Sequence, residues 1–277
     1  MLNDSPSAPP PPKNDSAAKK AEIKGEKTRQ QVTLHIPAVR PFATYTLLVV
    51  YVLLFVAAGA SPGLLGQNAI TAPDVLLYGQ YHRLATGMFL HVHVVHLLVV
   101  LVTVYIFGTA QERIFGHVRF TLIYLLGGLA GMVLAALLLA LTGDIVNGVV
   151  GASAAVCAML AADFAYVYQH RFLFGERGRA KRGRLLLFGA VNLVVGFMYG
   201  TGGNIGTLGA WYALGGVLGG GALGWFIAPF FNLTKDPKHP GDIRAEDINP
   251  LNRRYQIVIF YVSALLALLI VGTVIAR

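Results

Sequence analysis

The chain has 277 residues, of which 55% are apolar and 13% charged, and its mean hydropathy is +0.61. That balance excludes an ordinary soluble enzyme and points to an all-α polytopic membrane protein, because runs of about 20 apolar residues cross a bilayer core. The net charge of +9 is read as a topology signal with some contact to anionic lipid, so no nucleic acid is expected as a partner.

Residues 1–40 are polar, with Pro9 to Pro12 followed by a lysine-rich stretch. They carry no apolar signal-peptide core and are expected to form a disordered cytoplasmic tail. Residues 41–230 are expected to form one membrane domain of six spans. These are Phe42–Ala60, Met88–Phe107, Val118–Leu141, Val146–Tyr168, Leu185–Gly200 and Leu208–Phe230. Residues 231–254 read as a polar cytoplasmic linker, and 255–277 as a seventh, C-terminal span over Tyr255–Ala276. Of the 22 Lys and Arg, all but Arg83 and Arg277 then fall on one side. The positive-inside rule puts that side, and the N-terminus, in the cytoplasm of a plasma (inner) membrane, with the C-terminus outside. Cys157, the single cysteine, lies within a span, so no disulfide framework exists. Asp163 is the one acid within a span and is expected at the cytoplasmic interface.

Three spans enter from the outer side and carry polar residues to a similar level. Counted from Val146 at 1.5 Å per residue, Ser153 lies roughly 10 Å deep on the fourth. His91, His93 and His96 occupy the first half of the second, with His96 about 12 Å deep and His93 on its helix face by i,i+3 spacing. Tyr212 and Ala213 reach the same level on the sixth. Polar groups at such depth need a cavity or a partner. A lone serine in a span is otherwise explained by close packing and a bond back to a carbonyl; the facing histidines argue for more. Small residues such as Gly151, Ala154 and Ala158 on the fourth span, and Gly216, Gly220 and Gly224 on the sixth, allow backbones to approach closely.

These residues resemble the rhomboid family of intramembrane serine proteases, over about Arg40 to Phe230. Gly79-Gln80-Tyr81-His82-Arg83-Leu84-Ala85-Thr86, with Phe89-Leu90-His91 and His96-Leu97-Leu98, is similar to the family's first loop and second helix. Phe107-Gly108, Glu112 and Gly116 resemble the following loop. Val150-Gly151-Ala152-Ser153-Ala154 resembles the nucleophile motif, and Trp211 to Gly220 the sixth-helix motif that carries the base. The resemblance implies a six-helix core, here with an appended seventh helix, and no cofactor or metal. It implies that Ser153 is the nucleophile and that His96 stands on the oxyanion side. Its partners would be single-span or polytopic transmembrane proteins within the lipid bilayer.

The site departs from the family pattern. Aligning on Trp211 puts Ala213 at the base position, and sliding by one puts Tyr212 there; neither is histidine. Val100 stands where the oxyanion asparagine is expected, Ala154 replaces a glycine, and His82 a tryptophan. A serine hydroxyl is a poor nucleophile unless a base takes its proton. The expectation is therefore impaired or absent catalysis, with the fold retained to bind transmembrane clients. The alternative is an active endopeptidase that uses His93 or His96 as a non-standard base, since Tyr212, with a reference pKa near 10, is a poor one at neutral pH. A transporter is disfavoured, because buried charges and paired broken helices are lacking.

Overall fold

The computed structural model describes residues 34–35, 38–61, 63–145, 148–199, 206–235 and 243–277. The expected tail before Leu34 lies outside them. The membrane unit is built from α1 (Phe42–Ala60), α2 (Val94–Phe115), α3 (His117–Leu141), α4 (Ser153–Gln169), α5 (Arg171–Tyr199), α6 (Gly206–Ile227) and α7 (Tyr255–Ile275). Among the described residues, α1, α2, α3, α5 and α7 are long and apolar enough to cross a membrane. The chain is thus a multi-pass integral membrane protein. Helix α4 is shorter, at 17 residues, and almost wholly enclosed by its neighbours.

Four boundaries differ from the expectation. Helix α2 begins at Val94, not Met88, because Gly87–Phe89 is a 3₁₀ turn and His93 is extended. Helix α4 begins at Ser153, not Val146. Helix α5 takes in the basic stretch after Arg171, which was expected to be a loop, with a break at Gly175 (φ 49°, ψ −132°). The linker after α6 is not plain coil either. Strands β1 (Leu34–His35), β2 (Phe231–Lys235) and β3 (Ile243–Asp247) form a sheet in the order β1-β3-β2, with β1 parallel to β3.

Two polar devices anchor the membrane unit. Glu112, buried at the end of α2, accepts the backbone N–H groups of Ala43 (2.8 Å) and Thr44 (2.7 Å) and the Thr44 hydroxyl (2.6 Å). It caps α1 by satisfying donors that a helix N-terminus leaves open. Arg83 donates to the carbonyls of Gly66 (3.0 Å) and Ala69 (2.8 Å) and pairs with Asp74 at 3.1 Å. One guanidinium thereby ties together the long connection between α1 and α2.

Packing around α4 depends on missing side chains. On α6, a Cβ at Gly216 would overlap the Ala154 carbonyl, one at Gly220 the Ala158 backbone, and one at Gly224 the Ala162 backbone. The two helices run parallel, meeting once per turn along an i,i+4 row. Helix α3 packs along the seam of α4 and α6 through Gly127, Gly128 and Gly131, against Ala158, Ala155 and Ala154 of α4 and Gly220, Tyr212 and Gly216 of α6. With lipid as solvent, such backbone approach is what makes helix association favourable. Helix α7 joins the same body: Gly272 sits against Leu137 and Leu76, and the Tyr261 hydroxyl fits over Gly219 and donates to Leu126 O at 3.3 Å.

Gly220→Ala is expected to cost about 1–3 kcal/mol by overpacking. Gly221→Ala, whose Cβ meets only Ala161 Cβ at 3.8 Å, is expected to be nearly neutral. Thermal unfolding in detergent reads the difference, and equal midpoints for the two variants would contradict this packing.

Candidate functional site

The segment that leads into α4 descends in extended form. Val149 and Ile70 exchange backbone hydrogen bonds at 2.9 and 3.0 Å, and the Gly151 N–H donates to Gly87 O at 2.9 Å. Extended chain advances about 3.3 Å per residue, against 1.5 Å in a helix. A few residues therefore carry Ser153 to depth, and the helical count from Val146 does not apply. Ser153 is the first residue of α4, where open N–H groups and the helix dipole give a positive field.

Ser153 Oγ lies 2.8 Å from His96 Nε2, and both residues are fully buried. Gly151 makes this possible. Its φ of 128° is hostile to a side chain, and a Cβ there would stand 2.9 Å from His96 Cε1. Behind His96 the partners are aromatic. His91 packs edge-on at 4.9 Å and in turn meets Tyr51 at 5.2 Å. No described group hydrogen-bonds His96 Nδ1. Among the described residues, no carboxylate or carbonyl orients the His96 imidazole.

His93 does not join this group. It is exposed, stacks on Tyr199 at 4.4 Å, and uses Nδ1 to accept the Val95 N–H at 3.2 Å as the N-cap of α2. The expected shared helix face of His93 and His96 is corrected, because α2 starts only after His93. Val100 is buried in the apolar core and offers no donor, and Ala154 is locked between Gly131 and Gly216.

On α6 the residue beside Ser153 is Tyr212. Its hydroxyl is buried against Gly151 and Gly196 and lies in interaction range of Ser153, without a hydrogen bond of ordinary geometry. The register follows from the glycine row. Position 212 extends Gly216, Gly220 and Gly224 by one more i−4 step, so it faces α4, and Ala213 is turned from that row. Of the two residues read at the base position, Tyr212 and not Ala213 is therefore the one beside Ser153.

Helix α5 closes the site from the remaining side. A Cβ at Gly196 would stand 2.7 Å from Ser153 Oγ. One turn earlier, buried Asn192 donates to Thr103 Oγ1 at 2.8 Å, and Phe188 meets Phe107 edge-on at 5.0 Å. The sequence reading passed over Asn192, although an amide within a span is itself a signal of a buried partner. Asp163 is buried near the other end of α4 and pairs with Lys181 at 2.8 Å. Among the described residues no group of three His, Cys, Asp or Glu side chains could hold a metal ion.

Gly151→Ala is expected to cost about 1–3 kcal/mol in backbone strain and to push His96 from Ser153. The ¹⁵N shift of His96 Nε2 should then match that in Ser153→Ala. An unchanged shift and unchanged stability would contradict the geometry.

A family model described as the Rhomboid domain matches residues 78–230, more than half of the chain. The chain is 33% identical over 116 residues to RHOMBOID-like protein 6, mitochondrial, of Arabidopsis thaliana, covering 42% of this chain and 36% of that protein. It is 28% identical over 116 residues to Rhomboid protease GluP of Bacillus subtilis (strain 168), covering 40% and 23%. With RHOMBOID-like protein 1 of Arabidopsis thaliana it shares 28% over 219 residues, covering 76% and 52%. The matched stretches thus span about half of these relatives' length or less. The glycine-packed core, the Ser153 motif at the head of α4 and the matched domain agree: the chain belongs to the rhomboid family.

Proposed function

We propose that this protein is a rhomboid in which proteolysis is impaired or absent, and that its fold serves to bind transmembrane clients in the bilayer. The observation that carries the reading is the phenol of Tyr212 beside Ser153, where α6 would need an imidazole. A phenol with a reference pKa near 10 accepts a proton poorly at neutral pH. Three further observations support it. Among the described residues, none orients His96 through Nδ1. Val100 supplies no oxyanion donor, and such a donor contributes about 10²–10³ in rate. Ser153, His96 and Tyr212 are all fully buried, with α5 packed over the serine at Gly196. Client binding would use the lipid-facing helix surfaces and needs none of these groups. In this reading the arginine-rich side, with the N-terminus, faces the cytoplasm of a plasma (inner) membrane.

A second reading is favoured by one observation, the 2.8 Å contact between Ser153 Oγ and His96 Nε2. In its neutral form His96 can accept the serine proton, and backbone N–H groups of the first turn of α4 can face a developing oxyanion. The serine would then attack a peptide carbonyl of a membrane substrate, with His96 returning the proton to the leaving amine. Without an orienting group the gain is expected to be small.

Cleavage of a single-span reporter in liposomes separates the two readings. The wild type and Ser153→Ala are expected to be indistinguishable, and Tyr212→His is expected to raise cleavage by about 10²-fold or more, with Ala213→His giving no gain. Wild-type cleavage that is lost in both Ser153→Ala and His96→Ala would overturn the main reading and establish the second.

A further inference from the structure

Away from Ser153, two cavities meet at Trp225. The first is an apolar groove of about 510 Å³ in which α5 and α6 splay apart over α4. Its floor runs from Cys157 to Tyr168, its walls include Gly189 of α5 and Gly221 of α6, and it ends at Trp225. Both glycines open into it, since a Cβ at Gly189 or Gly221 would meet nothing closer than 4.0 or 3.8 Å. The second, of about 590 Å³, begins at Trp225 on the arginine-rich side and is lined by Arg171 and Arg254 together with Gln169 and Asn249.

The charge of the second cavity is one-sided. Among the described residues, no carboxylate lines it. The nearby Asp247 is held by Arg119 at 2.8 Å. The carbonyls at the end of α6, which would repel an anion, are covered by amides: Gln169 donates to Trp225 O at 2.8 Å, and Asn249 to Phe226 O at 3.1 Å and Ala228 O at 2.8 Å. Arg171 is held over the rings of Tyr168 (4.9 Å) and Phe172 (4.7 Å), and Arg254 Nε donates to Asn249 Oδ1 at 2.5 Å. Both guanidiniums are thereby positioned while most of their donors stay available.

An apolar slot at membrane depth that leads to two carboxylate-free guanidiniums beside an interfacial tryptophan has the layout of one phospholipid. We propose that this paired cavity is a binding site for an anionic glycerophospholipid of the bilayer, with an acyl chain in the groove over α4 and its headgroup phosphate between Arg171 and Arg254. The lipid fills the wedge between α5 and α6 and so fixes the position of α5, the helix that covers Ser153. This site is independent of whether Ser153 is active.

The test uses tryptophan fluorescence, because the chain has two tryptophans and Trp211→Phe leaves Trp225 as sole reporter. The full chain is placed in phosphatidylcholine vesicles that contain a minor fraction of phosphatidylglycerol, with only one of the two lipids brominated in each sample, and the quenching in the two labelling schemes gives the relative affinity of the two lipids. Phosphatidylglycerol is expected to be preferred by about tenfold or more. Arg171→Gln with Arg254→Gln should abolish the preference, Arg171→Lys with Arg254→Lys should keep most of it, and Arg177→Gln with Arg179→Gln should leave it intact. Gly221→Leu, which fills the groove, should reduce quenching by both lipids. Equal affinity for the two lipids, a preference that survives the Arg171/Arg254 glutamine pair, or displacement by soluble glycerol phosphate would each overturn the proposal.

Discussion

The close approach of α4 and α6 is the constraint on which the rest of the membrane unit depends. In a bilayer, burying apolar surface gives no net drive between helices, since lipid tails serve equally well. What holds the pair is contact between backbones, and that requires glycine at Gly216, Gly220 and Gly224 and alanine at Ala154, Ala158 and Ala162. The same row sets rotation as well as distance. Because it repeats every four residues, it decides which side chain at the head of α6 looks at the head of α4. Helix α3, with Gly127 and Gly131, then packs against both members of the pair, meeting Ala158 and Gly220 at one level and Ala154, Tyr212 and Gly216 at another.

Ser153 is placed by this body on one side and by the connection from α1 to α2 on the other. Arg83 pins that connection, Val149 pairs with Ile70, and Gly151 bonds back to Gly87. The backbone entering α4 is therefore fixed on both edges before the helix begins. His96 reaches the serine because Gly151 has no side chain, and α5 can lie over the serine because Gly196 has none. The result is a tight polar cluster with donors and acceptors not fully matched. Unpaired buried polar atoms cost about 1–3 kcal/mol each, a level of strain more common at sites shaped by chemistry than in ordinary helix packing.

Much of this was legible in the chain itself. The apolar segments and the small-residue spacings on α4 and α6 follow from composition and period, which local sequence carries directly. Helix starts were less legible. Residues 148–152 are as apolar as α4, and the stretch before α2 mixes apolar residues with His91 and His93, so hydropathy alone does not mark where the helices begin. The choice between Tyr212 and Ala213 was open because doubled glycines fit two registers. It becomes determined only when the partner row on α4 is known, and that is tertiary information. Asn192 is the reverse case: its polarity within a span was visible, but its partner Thr103, 89 residues away, was not.

A glycine-packed scaffold holds Ser153 at the head of α4, and the helix that faces it presents the Tyr212 phenol. In the function proposed above, Ser153 is not an activated nucleophile. The most direct measurement is covalent labelling of the purified protein by a fluorophosphonate, which loses fluoride to an activated serine hydroxyl and needs no knowledge of a substrate. Labelling of the wild type is expected to be no greater than that of Ser153→Ala. Stoichiometric labelling at Ser153 that vanishes in His96→Ala would contradict that function.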